Sequence, residues 1–193
     1  MNRADAYQLL CEYVQDLGLR RHMLGVEAGM RAYARKLGQD EEIWGIVGLL
    51  HDFDYERWPN PPDHPLKGSE ILRNLGYTEE VIYAIKSHAD YLPDCPRIHQ
   101  LDKALYACDE LTGLITAACL VRPTGVLDLT ASSVKKKMKS KGFARNVNRE
   151  DITRGAADFG VELGEHIQFL IEALKPLAGE LGLDKGVAIS END

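Results

Sequence analysis

Apolar residues recur along most of this chain at the three- and four-residue spacing of one helix face. Leu19, Met23, Val26, Met30, Tyr33 and Leu37 form the first such stripe, with Gly38 as its stop. Glu41 to Asp52, EEIWGIVGLLHD, starts acidic and then turns apolar nearly all round, which predicts a short helix buried in the middle of the molecule. The run RWPNPPDHP is a loop, because its prolines cannot sit in a helix interior. Pro65 suits the first turn of a helix from Leu66 to Leu75 that ends at Gly76. Thr78 caps the next, from Glu79 to about His88, and loop residues follow through Pro96. A long helix is expected from about Gln100 to Val121, with Leu101, Leu105, Cys108, Thr112, Ile115 and Cys119 on its stripe. Arg149 to Phe159 reads as a short helix, and Leu163 to Leu181 as a closing one with Leu163, Ile167, Leu170, Leu174, Leu177 and Leu181 on one face. Strand signals are confined to fragments such as Gly125 to Leu129. The expected fold is all-α, a compact helical bundle of about eight helices.

Against those stripes, certain polar residues stand out. His22 lies beside Met23 at the edge of the first stripe, and His51 and Asp52 end the most hydrophobic helix. His88 takes the next inward position after Val81, Ile82 and Ile85, and Asp109 sits in mid-helix beside Cys108. His64 stands at a helix N-terminus. A single inward histidine is usually a hydrogen-bonded core residue, and a mid-helix Asp is usually solvated. Here every inward ionisable group is a His or an Asp, on successive helices. A buried carboxylate needs compensation, and no lysine or arginine lies one helical turn from Asp109; Lys103 is six residues away on another face. A bound cation answers the need, and imidazole with carboxylate suits Fe, Mn, Zn, Ni or Co.

Composition narrows the class. The chain has 193 residues, 45% hydrophobic and 27% charged, which predicts one globular domain over 1–193. No apolar run approaches the length of a membrane span, and the start MNRADAYQLLCEYVQDLG is not a secretory leader. Four dispersed cysteines without a CxxC pair suit a reduced, cytoplasmic setting. A net charge of −7 argues against nucleic-acid coating. One segment breaks that balance: VKKKMKSK, Val134 to Lys141, holds five lysines and no acid. It reads either as a cationic lid near an anionic substrate or as a solvated helix face.

The order of an early His22, the pair His51–Asp52 in LLHDFDYE, and Asp109 in LYACDELTG resembles the H…HD…D pattern of the HD superfamily of metal-dependent phosphohydrolases. HPLKGSEIL and SHADY are similar to the two intermediate histidine segments of its HDIG-type bacterial members. The resemblance covers about Leu19 to Val121; residues 122–193 look like a helical extension of unassigned role. It implies that His22, His51, Asp52 and Asp109 ligate one divalent metal (Mn, Fe, Mg, Zn, Co or Ni). It also implies that His64 and His88 serve a second, with Asp52 bridging. Ser87–His88–Ala89–Asp90–Tyr91–Leu92–Pro93 lacks the double histidine and glycines of the cyclic-dinucleotide phosphodiesterases, which argues against that activity.

The implied activity is hydrolysis of a small phosphate ester or nucleotide by a metal-activated water, with Asp52 at the catalytic centre. Lys67, one turn after His64, is a candidate for catalysis and for holding phosphate, and Lys103 is a weaker substrate-binding candidate; for each, a solvated surface lysine is the favoured reading. Asp90 is a candidate for orienting water or acting as acid/base. His99 and His166 read as structural or surface residues, Cys108 as packing, and Trp44 and Trp58 as core and loop packing. Two other functional classes stay open: a non-catalytic, metal-stapled regulatory or ligand-sensing domain, and metal-dependent oxygenation by analogy with dinuclear iron members of the superfamily.

Overall fold

The computed structural model describes residues 1–184; the last nine residues of the expected extension lie outside the described residues. Among the described residues every regular element is helical: α1 (Arg3–Tyr13), α2 (Leu17–Leu37), α3 (Glu41–Leu50), α4 (Asp63–Asn74), α5 (Glu79–Ser87), α6 (Gln100–Leu120), α7 (Ala131–Met138), α8 (Arg149–Phe159), α9 (Leu163–Leu174) and α10 (Ala178–Leu181), with a 3-10 turn at Lys175–Leu177. The fold is all-α, as the periodicity predicts.

Helices α2, α3 and α6 carry the centre of the bundle. Asp40 caps α3 by accepting from the N–H groups of Glu42 and Ile43. Trp44 through Leu50 are then buried without interruption, so this helix has no solvent face and its end delivers His51 and Asp52 into the interior. α2 packs on α3, α6 and α9. Its glycines permit the close approach. A Cβ at Gly29 would meet Leu170 Cδ2 at 2.8 Å, and one at Gly48 of α3 would meet the Glu27 backbone at 2.9 Å. Beside that contact, Glu27 is buried between Arg3 and Arg31, at 2.6 and 2.8 Å, so the inward ionisable groups are not confined to His and Asp as the pattern predicts.

Three elements differ from the pattern-based expectation. α1 precedes the first predicted helix. It buries only Ala6, Leu9 and Leu10, and a reciprocal Asn2–Asp5 capping box starts it. The closing helix is broken at Lys175–Leu177, because Pro176 lacks an N–H and its ring cannot sit in a helix interior. Residues 125–129 form turns rather than strand, although Val126 and Leu129 are buried. The lysine segment is largely the helix α7, which buries Val134 alone. No helix of the described residues is long and apolar enough to cross a membrane. All four cysteines are free thiols.

Candidate metal centre

Six residues singled out by pattern come from α2, the C-terminal end of α3, the start of α4, the end of α5 and the middle of α6. The structure brings all six together. His51 is fully buried; its Nδ1–H donates to the Gly48 carbonyl at 2.8 Å, and its Nε2 is left without a hydrogen-bond partner. That bare nitrogen faces Asp109 Oδ1 at 3.4 Å and Asp52 Oδ2 at 3.6 Å. His22 Nε2 lies 3.0 Å from the same Asp109 oxygen.

The other oxygen of Asp52 faces the second pair of histidines. His64 Nε2 is 3.2 Å and His88 Nε2 3.4 Å from Asp52 Oδ1, and the two Nε2 atoms are 3.3 Å apart. Each ring is fixed from behind. His88 Nδ1–H donates to the Ile85 carbonyl at 2.5 Å, and His64 Nδ1–H to Asp54 Oδ1 at 2.8 Å. Asp54 also accepts the Gly68 N–H at 2.8 Å, and a Cβ at position 68 would strike its carboxylate at 2.7 Å. Gly68 is therefore the residue that lets α4 dock on Asp54. Tyr91 adds a hydroxyl that donates to the His64 carbonyl. His64 itself is extended, with ψ 133°, so the regular part of α4 begins beyond Pro65, as expected from the sequence.

Nδ1 held by a backbone carbonyl or carboxylate, with Nε2 turned inward, is how metal-bound histidines are oriented. Two ligand sets follow, His22–His51–Asp52 and Asp52–His64–His88, each with donor atoms within 4.8 Å of one another. Asp52 belongs to both, one oxygen to each. Asp109 stands on the side of the first set. The C-terminal end of α3 adds partial negative charge there. The His/Asp cluster fits a divalent metal, and the orphaned buried Nε2 of His51 is the observation that tests the fit.

The charge balance agrees. Burial alone would push the Asp52 and Asp109 carboxyls up, but the facing imidazoles, His51 foremost, hold both well below the usual carboxylate range. Burial alone would push His51 down, but Asp52 and Asp109 outweigh it and raise the ring to about 9. His64 is raised to about 9 in the same way, by Asp52 and Asp54 against its own burial. With no cation, protons on imidazoles balance the buried carboxylates.

With His51 buried behind them, the other five of the six, His22, Asp52, His64, His88 and Asp109, line an open cavity of about 450 Å³. Tyr55, Tyr91, Tyr106, Glu110, Asn146 and Asp151 are on its walls, and pattern reading missed them all. They lie on loops or on faces of α6 and α8 that carry no stripe. Asp90 also lines the cavity, but its carboxylate is engaged: Arg97 donates at 2.6 Å, Tyr106 at 2.9 Å, and Arg154 as well. Those bonds hold Asp90 below the ordinary value against the opposing effect of burial. Lys67 is exposed and Lys103 half-buried, and neither lines the cavity. Of the two set-aside histidines, His99 starts α6, where its N–H donates to Asp102 at 2.8 Å. His166 is buried, its Nε2–H on the Ala107 carbonyl at 2.9 Å and its Nδ1 accepting from Tyr33 at 2.6 Å.

The HD domain family model matches residues 19–114, and the chain belongs to that family. Ribonuclease Y of Oleidesulfovibrio alaskensis is 24% identical over 155 residues, which are 79% of this chain and 27% of that protein. The chain thus spans about a quarter of the length of this curated relative (27%). No solved structure matches the chain.

Proposed function

We propose that the protein is a metal-dependent phosphohydrolase whose substrate is a phosphate ester of nucleotide type. One observation carries the reading. Inward-turned Nε2 atoms of His64 and His88 meet Asp52 in the lining of an open cavity, with the partnerless Nε2 of His51 buried behind Asp52 and Asp109, inside a segment of the HD family. A purely structural metal site is normally closed, whereas this one opens to a cavity of ligand size. The relative's name, a ribonuclease, favours a phosphodiester among the possible esters.

His22, His51, Asp109 and one oxygen of Asp52 would hold one ion; His64, His88 and the other oxygen would hold a second. A bound divalent ion would lower the pKa of water and polarise a phosphoryl oxygen. The chain's own residues do the rest. Asp54 and the carbonyls of Gly48 and Ile85 take the Nδ1 protons of their histidines and point Nε2 inward, where a bound cation would take the place of its proton. Among the lining carboxylates, Asp90 is held by Arg97 and Arg154 and Asp151 by Arg154, so Asp52 and Asp109 are the ones whose charge a bound cation would compensate. Hydrolysis joins a water oxygen to phosphorus as the ester P–O bond breaks, and the leaving oxygen takes up a proton.

The test is metal content by plasma mass spectrometry, with turnover of phosphomonoesters, phosphodiesters and nucleotides in Mn, Mg, Fe, Co, Ni and Zn. Asp52→Ala is the comparison, expected to lose both metal and turnover. A wild-type protein that neither binds nor responds to any of these ions defeats the proposal. Metal binding without turnover across the panel would instead establish the stapled, ligand-sensing role.

A further inference from the structure

The cavity is lined by five carboxylates, Asp52, Asp90, Asp109, Glu110 and Asp151; Arg97 and Arg154 pair with Asp90, and Arg154 with Asp151, from behind, and no lysine or arginine of the described residues lines the cavity itself. Past Asn146 and Val147 the surface changes sign. These two residues also line a second groove, of about 670 Å³, whose other charged lining residues are Lys139, Lys141, Arg145 and Arg149 against one acid, Glu150. Residues 134–149 hold five lysines, two arginines and no acid, so with a total of −7 the remaining chain carries −14. Cavity and groove therefore meet along one shared edge with opposite charge on its two sides.

Not all seven cations are free. Lys135 pairs with Glu162 at 3.2 Å, and Lys137 lies over the Phe143 ring at 4.7 Å. Arg149 donates to the carbonyls of Phe143, Ala144 and Val147, and so pins the loop from inside. The Asn148 N–H donates to Glu110 at 3.1 Å, which ties the loop to the metal cavity. Lys139, Lys141 and Arg145 are exposed groove residues with no carboxylate partner among the described residues. A fixed loop thus presents three unpaired cations to the groove, next to the cluster.

We propose that this groove binds the phosphates that neighbour the scissile one on a short single-stranded oligonucleotide, an inference that rests on the phosphohydrolase reading. A lone phosphomonoester reaches only the cavity, whose lining offers it no lysine or arginine among the described residues. A strand reaches both: one phosphodiester enters the cavity, and adjoining phosphates find Lys139, Lys141 and Arg145. Tyr55 and Tyr91, 42% and 43% exposed at the cavity, offer faces on which bases stack. Five of the six clustered residues line this concave site, which a flexible single strand can enter. The −14 on the remaining chain confines binding to the groove and opposes general coating.

The probe is a fluorescein-labelled 12-nucleotide single strand, read by anisotropy in metal-free buffer at low salt. The triple variant Lys139→Ala, Lys141→Ala, Arg145→Ala is compared with Arg35→Ala, Arg73→Ala, Lys86→Ala, which removes the same charge outside the groove. The groove variant is expected to bind roughly tenfold or more weakly, with a log–log salt slope shallower by about 2, while the control stays within about twofold of wild type. Equal weakening in the two variants overturns the proposal, and so does a mononucleotide that displaces the probe as well as the unlabelled strand does. Hydrolysis of bis(4-nitrophenyl) phosphate separates the two readings. Normal metal-dependent turnover with unchanged strand binding in the groove variant sinks the groove alone. Absence of turnover in wild type, with groove-dependent binding intact, sinks the enzyme reading alone.

Discussion

Oδ1 of Asp54 accepts the Nδ1 proton of His64 at 2.8 Å, from a carboxylate that is 1% exposed. That bond selects the tautomer whose Nε2 is free to face Asp52. Losing such an orienting partner typically costs about 10–100-fold in metal affinity. Asp54→Asn should therefore weaken the Asp52–His64–His88 set by about that factor and leave the His22–His51–Asp109 side little changed. Metal titration against a competing chelator would resolve two affinities. Equal weakening of both would mean that Asp54 supports the fold rather than one half of the site.

Gly48 joins packing to chemistry. A Cβ there would press on the Glu27 backbone at 2.9 Å, and backbone atoms cannot step aside as a flexible side chain can. The carbonyl of the same residue holds His51. Gly48→Ala should cost about 1–3 kcal/mol of stability and lower metal affinity as α3 shifts. Denaturant melts with metal titration check both; a stable variant with unaltered affinity refutes the coupling.

His166 predicts a pH effect of definite sign. Burial lowers its pKa from the ordinary 6.5, so protons bind the unfolded chain better than the folded one. Its contribution is complete above 6.5 and is lost as pH falls through the lowered folded value. His51 and His64, raised to about 9, act oppositely: in metal-free protein their contribution is complete below about 6.5 and is lost as pH rises through 9. Stability of wild type minus His166→Gln should therefore fall on acidification below 6.5 and stay flat between 7 and 8. A difference independent of pH would exclude a neutral buried His166.

Arg154 spans the cavity rim from α8 and donates to Asp90, Tyr106 and Asp151. It is half exposed, so Arg154→Ala should change stability by under about 1 kcal/mol. Its loss leaves Asp90 and Asp151 less compensated beside an anionic substrate. KM for a phosphodiester should rise several-fold with a smaller change in kcat, and Arg154→Lys should restore part of it. Steady-state kinetics decide; an unchanged KM would remove the rim from substrate binding.

The stripes of α2 and α6 were legible because each buries one continuous face, α3 because it is apolar nearly all round, and His22, His51, Asp52, His88 and Asp109 because they interrupt or end apolar helix faces, with His64 marked by its place at a helix start. Asp54 carried no comparable signal. Two residues from His51–Asp52, it reads as a turn aspartate until the loop folds back to place it under His64 and against Gly68. α1 was hidden by its few buried positions, although Asn2 and Asp5 mark its start. Pro176 was the legible stop inside the last stripe, and the regular leucines outweighed it. Lys67 and Lys103 illustrate the limit of spacing arguments: nearness in sequence to His64 and Asp109 does not bring a flexible cation onto the cavity wall. The arginines bonded to its lining carboxylates are Arg97 and Arg154, and the unpaired cations of the adjoining groove come from residues 139–145, outside the family segment.

The tether between Asn148 and Glu110, with Arg149 clasping the carbonyls of residues 143, 144 and 147, makes the stretch from Lys139 to Asn148 an exchangeable cassette. Its two ends are fixed to α7 and α8, and none of the six clustered His and Asp residues lies within it. Insertions or charge changes there alter the reach and polarity of the entrance without disturbing the helices that aim the imidazoles. Under the proposed function, selectivity and reactivity would then diverge independently in one small bundle.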